Sequence, residues 1–294
     1  MEIIMKQRII TGSILIAVLI PVIIFSYTPV FAAVVGLFSL VGTWEMLHCV
    51  GTNKKPAAVI PSILFSVLVS VAAKVFMDID MSHAQTPRDY FAWSYIGLSF
   101  FFFVCLATSA IFSKGKFTVD EMFATFGGVF YVGSAFAALI LLRESYLGQY
   151  LYLLAILIPI ISDTFAYFTG VTIGKHKLIP DVSPKKTVEG SLGGIVFSGI
   201  ACIIYAVVLL KKNGYGMSLW QYVGVFVAGC LIAILSQVGD LLASLIKRRF
   251  GIKDYGKLFP GHGGVLDRLD SILITSPLIL LFSFILQYIS VHTL

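Results

Sequence analysis

The feature that most constrains this chain is a nearly unbroken series of apolar runs, nine in all, separated by short polar loops. Their approximate limits are 9–26, 29–50, 57–76, 91–112, 122–142, 147–171, 191–210, 219–246 and 270–291. Each has roughly the 17–25 residues a helix needs to cross a bilayer. A helix satisfies its own backbone N–H and C=O groups, which is why it can stand in hydrocarbon. The first two runs are parted only by Tyr27 and Thr28, with Pro29 opening the second, and this predicts a tight helical hairpin. The run at 9–26 follows Lys6 and Arg8 and so resembles a signal peptide. No small-x-small cleavage pattern parts it from the next run, so a retained anchor is expected. The expected fold class is all-α: a polytopic membrane protein with about nine transmembrane helices.

Composition agrees. Hydrophobic residues make up 58% of the chain and charged residues 12%, with a mean hydropathy of +0.95. A soluble domain carries about 25% charged residues, and a large core would still need a polar exterior. The net charge of +6 lies between apolar runs. It therefore points to topology and to anionic lipid or phosphate rather than to nucleic acid. Four scattered cysteines without a CxxC support neither a zinc site nor a disulfide framework.

Lysine and arginine orient the chain. With the N-terminus inside, the inner segments hold Lys6, Arg8, Lys54, Lys55, Lys114, Lys116, Lys175, Lys177, Lys185, Lys186, Lys247, Arg248, Arg249, Lys253, Lys257 and Arg268. The outer ones hold only Lys74, Arg88, Arg143, Lys211 and Lys212. The positive-inside rule then predicts a cytoplasmic N-terminus. It also turns the two longest polar inner loops, 172–190 and 247–269, toward the cytoplasm, where nucleoside triphosphates are found. A division into N-terminal membrane helices (1–120) and a catalytic part (121–294) bearing those two loops is expected.

Three carboxylates fall inside predicted spans rather than at their first or last residue: Glu45, Asp163 and Asp240. A charge at the helix centre costs about 2.5–3.5 kcal/mol on insertion scales, so such residues face a polar interior and are functional candidates. Glu45 lies near a helix end with no polar motif around it and is the weakest of the three. Asp163 sits in Ile-Ser-Asp-Thr-Phe, and Asp240 closes Ser-Gln-Val-Gly-Asp. If the eighth run is helical through Lys247, then Ser236, Asp240, Ser244 and Lys247 form one polar stripe. Asp267 and Asp270, three residues apart at the mouth of the last span, can point the same way.

Between those helices lies Pro260-Gly261-His262-Gly263-Gly264, where Gly263 and Gly264 let backbone N–H groups approach phosphate oxygens. The other inner loop offers Ser183, Lys185, Lys186 and Thr187 in Ser-Pro-Lys-Lys-Thr-Val-Glu-Gly, a candidate phosphate-binding turn. Carboxylates, basic residues and a glycine turn at one membrane face suit phosphate held through Mg²⁺, which takes oxygen ligands and often only one or two protein carboxylates.

The stretch Ser244–Asp270, SLIKRRFGIKDYGKLFPGHGGVLDRLD, resembles the signature of phosphatidate cytidylyltransferases, also called CDP-diacylglycerol synthases. Its Ser-x-x-Lys-Arg, Lys-Asp, Pro-x-His-Gly-Gly and Asp-Arg-x-Asp elements are all present, and SPKKTVEG and the Ser162-Asp163 helix are also similar to that family. The resemblance covers about residues 160–270. It implies that the phosphate of phosphatidic acid attacks the α-phosphorus of CTP and that pyrophosphate leaves, at the cytoplasmic membrane. It further implies Mg²⁺, alone or with a second cation, on Asp240 and Asp267 first and Asp270 and Asp163 next. Lys185, Lys186, Lys247, Arg248 and Arg268 would bind phosphates, with Lys247, Arg268 and His262 as the catalytic candidates. His262 would either donate a hydrogen bond to pyrophosphate or brace the glycine turn. The expected partners are CTP, phosphatidic acid and the bilayer, with a homodimer allowed and no nucleic acid.

Two other readings use the same residues. A CTP-dependent lipid kinase would release CDP in place of pyrophosphate. An ion-coupled transporter would place its charge near the midplane with broken helices, whereas here charge gathers toward one face. The Asp-Gly-x-x-Ala-Arg pattern of CDP-alcohol phosphotransferases is absent.

Overall fold

The computed structural model describes residues 17, 19–78, 87–145, 147–212, 216–261 and 263–292. Among them are eight helices long and apolar enough to cross a membrane. These are α1 (Pro29–Val50), α2 (Pro56–Asp78), α3 (Pro87–Phe112), α4 (Val119–Glu144), α5 (Gly148–Ile173), α6 (Val188–Lys212), α7 (Leu219–Arg249) and α8 (Leu266–His292). The eight runs expected from 29 onward are all helices. Half of the first run, residues 9–16 and 18 of 9–26, lies outside the described residues.

Local chemistry sets the helix ends. Thr28 caps α1 by accepting the Val30 N–H, Pro29 follows at the first turn, and Gly51 closes the helix at φ 83°, a left-handed conformation that costs glycine least. Capping boxes start α4 (Thr118 with Glu121) and α7 (Ser218 with Gln221). The last helix begins at Leu266, four residues earlier than the hydropathy suggests, because polar Asp267, Arg268 and Asp270 occupy its first turns.

The segment expected as a plain loop at 172–190 contains a two-stranded antiparallel hairpin, β1 (Lys177–Ile179) and β2 (Ser183–Thr187). Pro180 and Asp181 supply the turn chemistry between the strands. Thr187 pairs with Lys177 in the hairpin, and its hydroxyl accepts the Gly190 N–H at 3.1 Å, so β2 runs directly into α6.

In the bundle, α1 packs on α2 and α4, α8 packs on α4, α5 and α7, and α6 packs on α5 and α7. One buried cluster runs through both halves of the chain and includes Leu47, Val69, Leu106, Val129, Leu142, Ala155 and Leu266. The α5–α6 contact is close because Gly190 and Gly194 abut Ala166 O and Ser162 O, leaving no room for a side chain. That contact brings β2 and the Lys185–Lys186 pair beside the end of α5 that carries Asp163.

Candidate active site

Asp163 on α5, Asp240 on α7 and Asp270 on α8 gather where these helices and β2 converge, close enough for each carboxylate to feel the charge of the others. Lys186 reaches from β2 to form an ion pair with Asp240 Oδ2. Asp163 makes no hydrogen bond or ion pair among the described residues, and it is accessible. Asp270 Oδ1 accepts the Ser271 N–H at 2.8 Å.

Asp163 lies on the wall between two cavities. One, of about 400 Å³, carries Asp163, Asp240, Lys185, Lys186, Thr187, Ser191 and Gln237 on a wall completed by residues such as Tyr167, Val171 and Leu178. That volume falls in the range of small-molecule sites. The other, of about 250 Å³, is walled by Phe31, Val34, Val35, Phe38, Ile156 and Ile160 and has Asp163, Arg268 and Asp270 as its charged residues. Arg268 is exposed and makes no side-chain hydrogen bond or ion pair among the described residues.

Asp267 is engaged differently from Asp270, although they are three residues apart on one helix. Its Oδ1 pairs with Lys247 Nζ at 2.9 Å, and its Oδ2 accepts the Tyr255 N–H at 2.8 Å and the Gly264 N–H at 2.9 Å. The polar stripe on α7 therefore splits. Asp240 faces Asp163 and Asp270, while Lys247, two turns on, serves Asp267. Tyr255 completes this second cluster, its ring under Lys247 Nζ at 5.3 Å and its hydroxyl donating to Ala243 O at 3.1 Å. Burial pushes the Tyr255 phenol well above its ordinary pKa.

The remaining candidates sort clearly. Lys185 and Thr187 line the polar cavity, while Ser183 lies at the far end of β2 and is not part of that wall. Arg248 is exposed in the last turn of α7. Gly263 has φ 83°, and its carbonyl accepts the Phe259 N–H at 2.8 Å, which folds the loop back onto Asp267. The Gly264 N–H is spent on Asp267, so it is not directed at either cavity. His262 lies outside the described residues.

Two participants escaped the sequence reading. Gln237 donates to Ser162 Oγ and Ser191 O, both at 3.1 Å, and accepts from Ser191 Oγ, tying α7 to α5 and α6 next to Asp163. An amide in an otherwise apolar helix one turn before Asp240 was the available signal. Tyr255 was hidden because a tyrosine in a loop carries no periodicity.

The donors suit a hard cation such as Mg²⁺ in one respect: three carboxylates share a small region, and only one of them, Asp240, is ion-paired with Lys186. Among the described residues no three Asp, Glu, His or Cys side chains form a closed metal cage. A cation there would need oxygen ligands beyond these carboxylates, as Mg²⁺ commonly does.

Over residues 6–286 the sequence matches the cytidylyltransferase family. It is 32% identical over 275 residues to a phosphatidate cytidylyltransferase of Staphylococcus haemolyticus, covering 94% of this chain and 97% of the relative. A phosphatidate cytidylyltransferase of Bacillus subtilis is 31% identical over 281 residues, covering 93% and 95%. One of Staphylococcus aureus is 36% identical over 192 residues, covering 65% and 67%.

Proposed function

This chain belongs to the cytidylyltransferase family, and from that premise we propose that it moves the cytidylyl group of CTP onto phosphatidic acid, forming CDP-diacylglycerol and pyrophosphate at the cytoplasmic face of the cell membrane. It is a nucleotidyltransferase of phospholipid biosynthesis and an integral membrane protein.

The observation that carries the reading is the place of Asp163 between a cavity that bears two lysines and one walled mainly by apolar side chains. A lipid phosphate and a water-soluble nucleotide must meet at headgroup depth, each coming from its own solvent. The apolar cavity suits the lipid, with Arg268 receiving its phosphate. The polar cavity suits the triphosphate, with Lys185 and Lys186 along it. A phosphate oxygen of the lipid attacks the α-phosphorus of CTP. The bond from that phosphorus to the oxygen bridging to the β-phosphate breaks, and its electron pair leaves with pyrophosphate.

The nucleophile is already an anion, so no strong base is needed. The task is to align two polyanions and cancel their repulsion. Asp163, Asp240 and Asp270 would hold Mg²⁺, which when bound supplies charge neutralisation at the phosphate oxygens. Lys186, already bonded to Asp240, keeps a cation at the nucleotide side of that cluster.

The test is the purified protein in vesicles containing phosphatidic acid, given CTP and Mg²⁺. Pyrophosphate and CDP-diacylglycerol should appear in equal amounts, and EDTA should stop both. Release of CDP with a phosphorylated lipid would instead identify a kinase, and turnover in EDTA would remove the cation.

A further inference from the structure

We propose that Glu45, on α1, is a positioning residue that sets where the active-site end of α8 stands. This rests on the reaction proposed above and assigns a task to the N-terminal part of the chain.

Glu45 is 4% exposed in an otherwise apolar helix and has no cationic partner among the described residues. Its charge is met instead by the backbone. The Val265 N–H donates to Oε1 and the Leu266 N–H to Oε2, both at 2.9 Å, across 220 and 221 residues of sequence. Leu266 opens α8 and Val265 stands just before it, and the first N–H groups of a helix have no partner within the helix. A carboxylate there also meets the positive end of the helix dipole.

Three further contacts make the fit specific. Gly42, one turn before Glu45, lies against Leu266 so closely that a Cβ there would come within 2.9 Å of Leu266 Cδ2. A Cβ at Gly256 or at Gly264 would overlap Glu45 Oε1, so both glycines admit the carboxylate to the loop. Asp267 accepts the N–H groups of Gly264 and Tyr255 in the same loop. The start of α8 and the loop before it are therefore held by two carboxylates, one of the helix's own and one from α1. Arg268 and Asp270 follow at the start of α8, so a shift at Leu266 moves two of the three charged residues of the apolar cavity.

Glu45→Gln tests this, because the side chain keeps its shape but turns one acceptor into an NH₂ that faces an N–H. In detergent-solubilised protein, trypsin should cut faster after Lys253 and Lys257, which are exposed residues of the loop. The kcat should fall roughly 10- to 100-fold, the range for a misplacement of about 1 Å, with KM for CTP little changed. Wild-type cleavage and kcat would overturn the proposal. A fall in kcat at wild-type cleavage would also overturn it, since Glu45 would then act on substrate directly. If Glu45→Gln does not accumulate, Gly256→Ala presses on the same oxygen and should show both changes; neither change would again overturn the latch. Cleavage needs no substrate, so a wild-type enzyme inactive on CTP and phosphatidic acid would defeat the reaction while leaving the latch measurable.

Discussion

Lys247 on α7 and Asp267 on α8 form an ion pair at 2.9 Å that is almost wholly removed from solvent, with side chains 13% and 3% exposed. The other oxygen of Asp267 is filled by two backbone N–H groups of the loop between these helices. This carboxylate has the partners of a structural clasp, whereas Asp163 has no hydrogen bond or ion pair among the described residues.

Asp267→Asn separates the two roles. The amide leaves Lys247 buried without its counter-charge, and breaking a buried pair costs about 3–5 kcal/mol. A clear drop in thermal stability in detergent is expected together with loss of turnover. Lost turnover at an unchanged melting temperature would return Asp267 to the cation.

Asp163→Asn should behave in the opposite way. Asp163 accepts no hydrogen bond among the described residues and stands near two like charges, so neutralising it relieves repulsion from Asp240 and Asp270. The melting temperature should hold or rise while turnover falls by about 100-fold or more, the scale of a lost electrostatic contact to a reacting centre. Unfolding of this variant, or wild-type turnover, would take Asp163 out of the site.

Arg268→Ala tests the division between the cavities. A charge-assisted hydrogen bond contributes about 1.5–3 kcal/mol, so KM for phosphatidic acid should rise about 10- to 100-fold. KM for CTP should stay near the wild-type value. A rise confined to CTP would exchange the two substrates between the cavities.

The orientation is open to labelling. Cysteines placed in 183–190 and in 253–260 should react with a membrane-impermeant thiol reagent only from the cytoplasmic side, and one at Met217 only from the other. The reverse pattern would put the polar cavity out of reach of CTP.

The helices were written in the sequence because hydrocarbon demands a long apolar run with internal hydrogen bonds, and a run of that kind is local information. The carboxylates Asp163 and Asp240 stood out for the same reason, being charges where the solvent penalises charge. The signature from Ser244 to Asp270 carried the resemblance because its residues are contiguous. What the sequence could not decide is which atoms meet across helices. Asp267 and Asp270 look equivalent along the chain, yet one is bound to Lys247 and the loop while the other joins Asp163 and Asp240. Glu45 looked the least functional of the intramembrane carboxylates because its partners, the Val265 and Leu266 N–H groups, are 220 and 221 residues away. A hydrogen bond depends on distance and direction in space, and only the packing of α1, α5, α7 and α8 sets those.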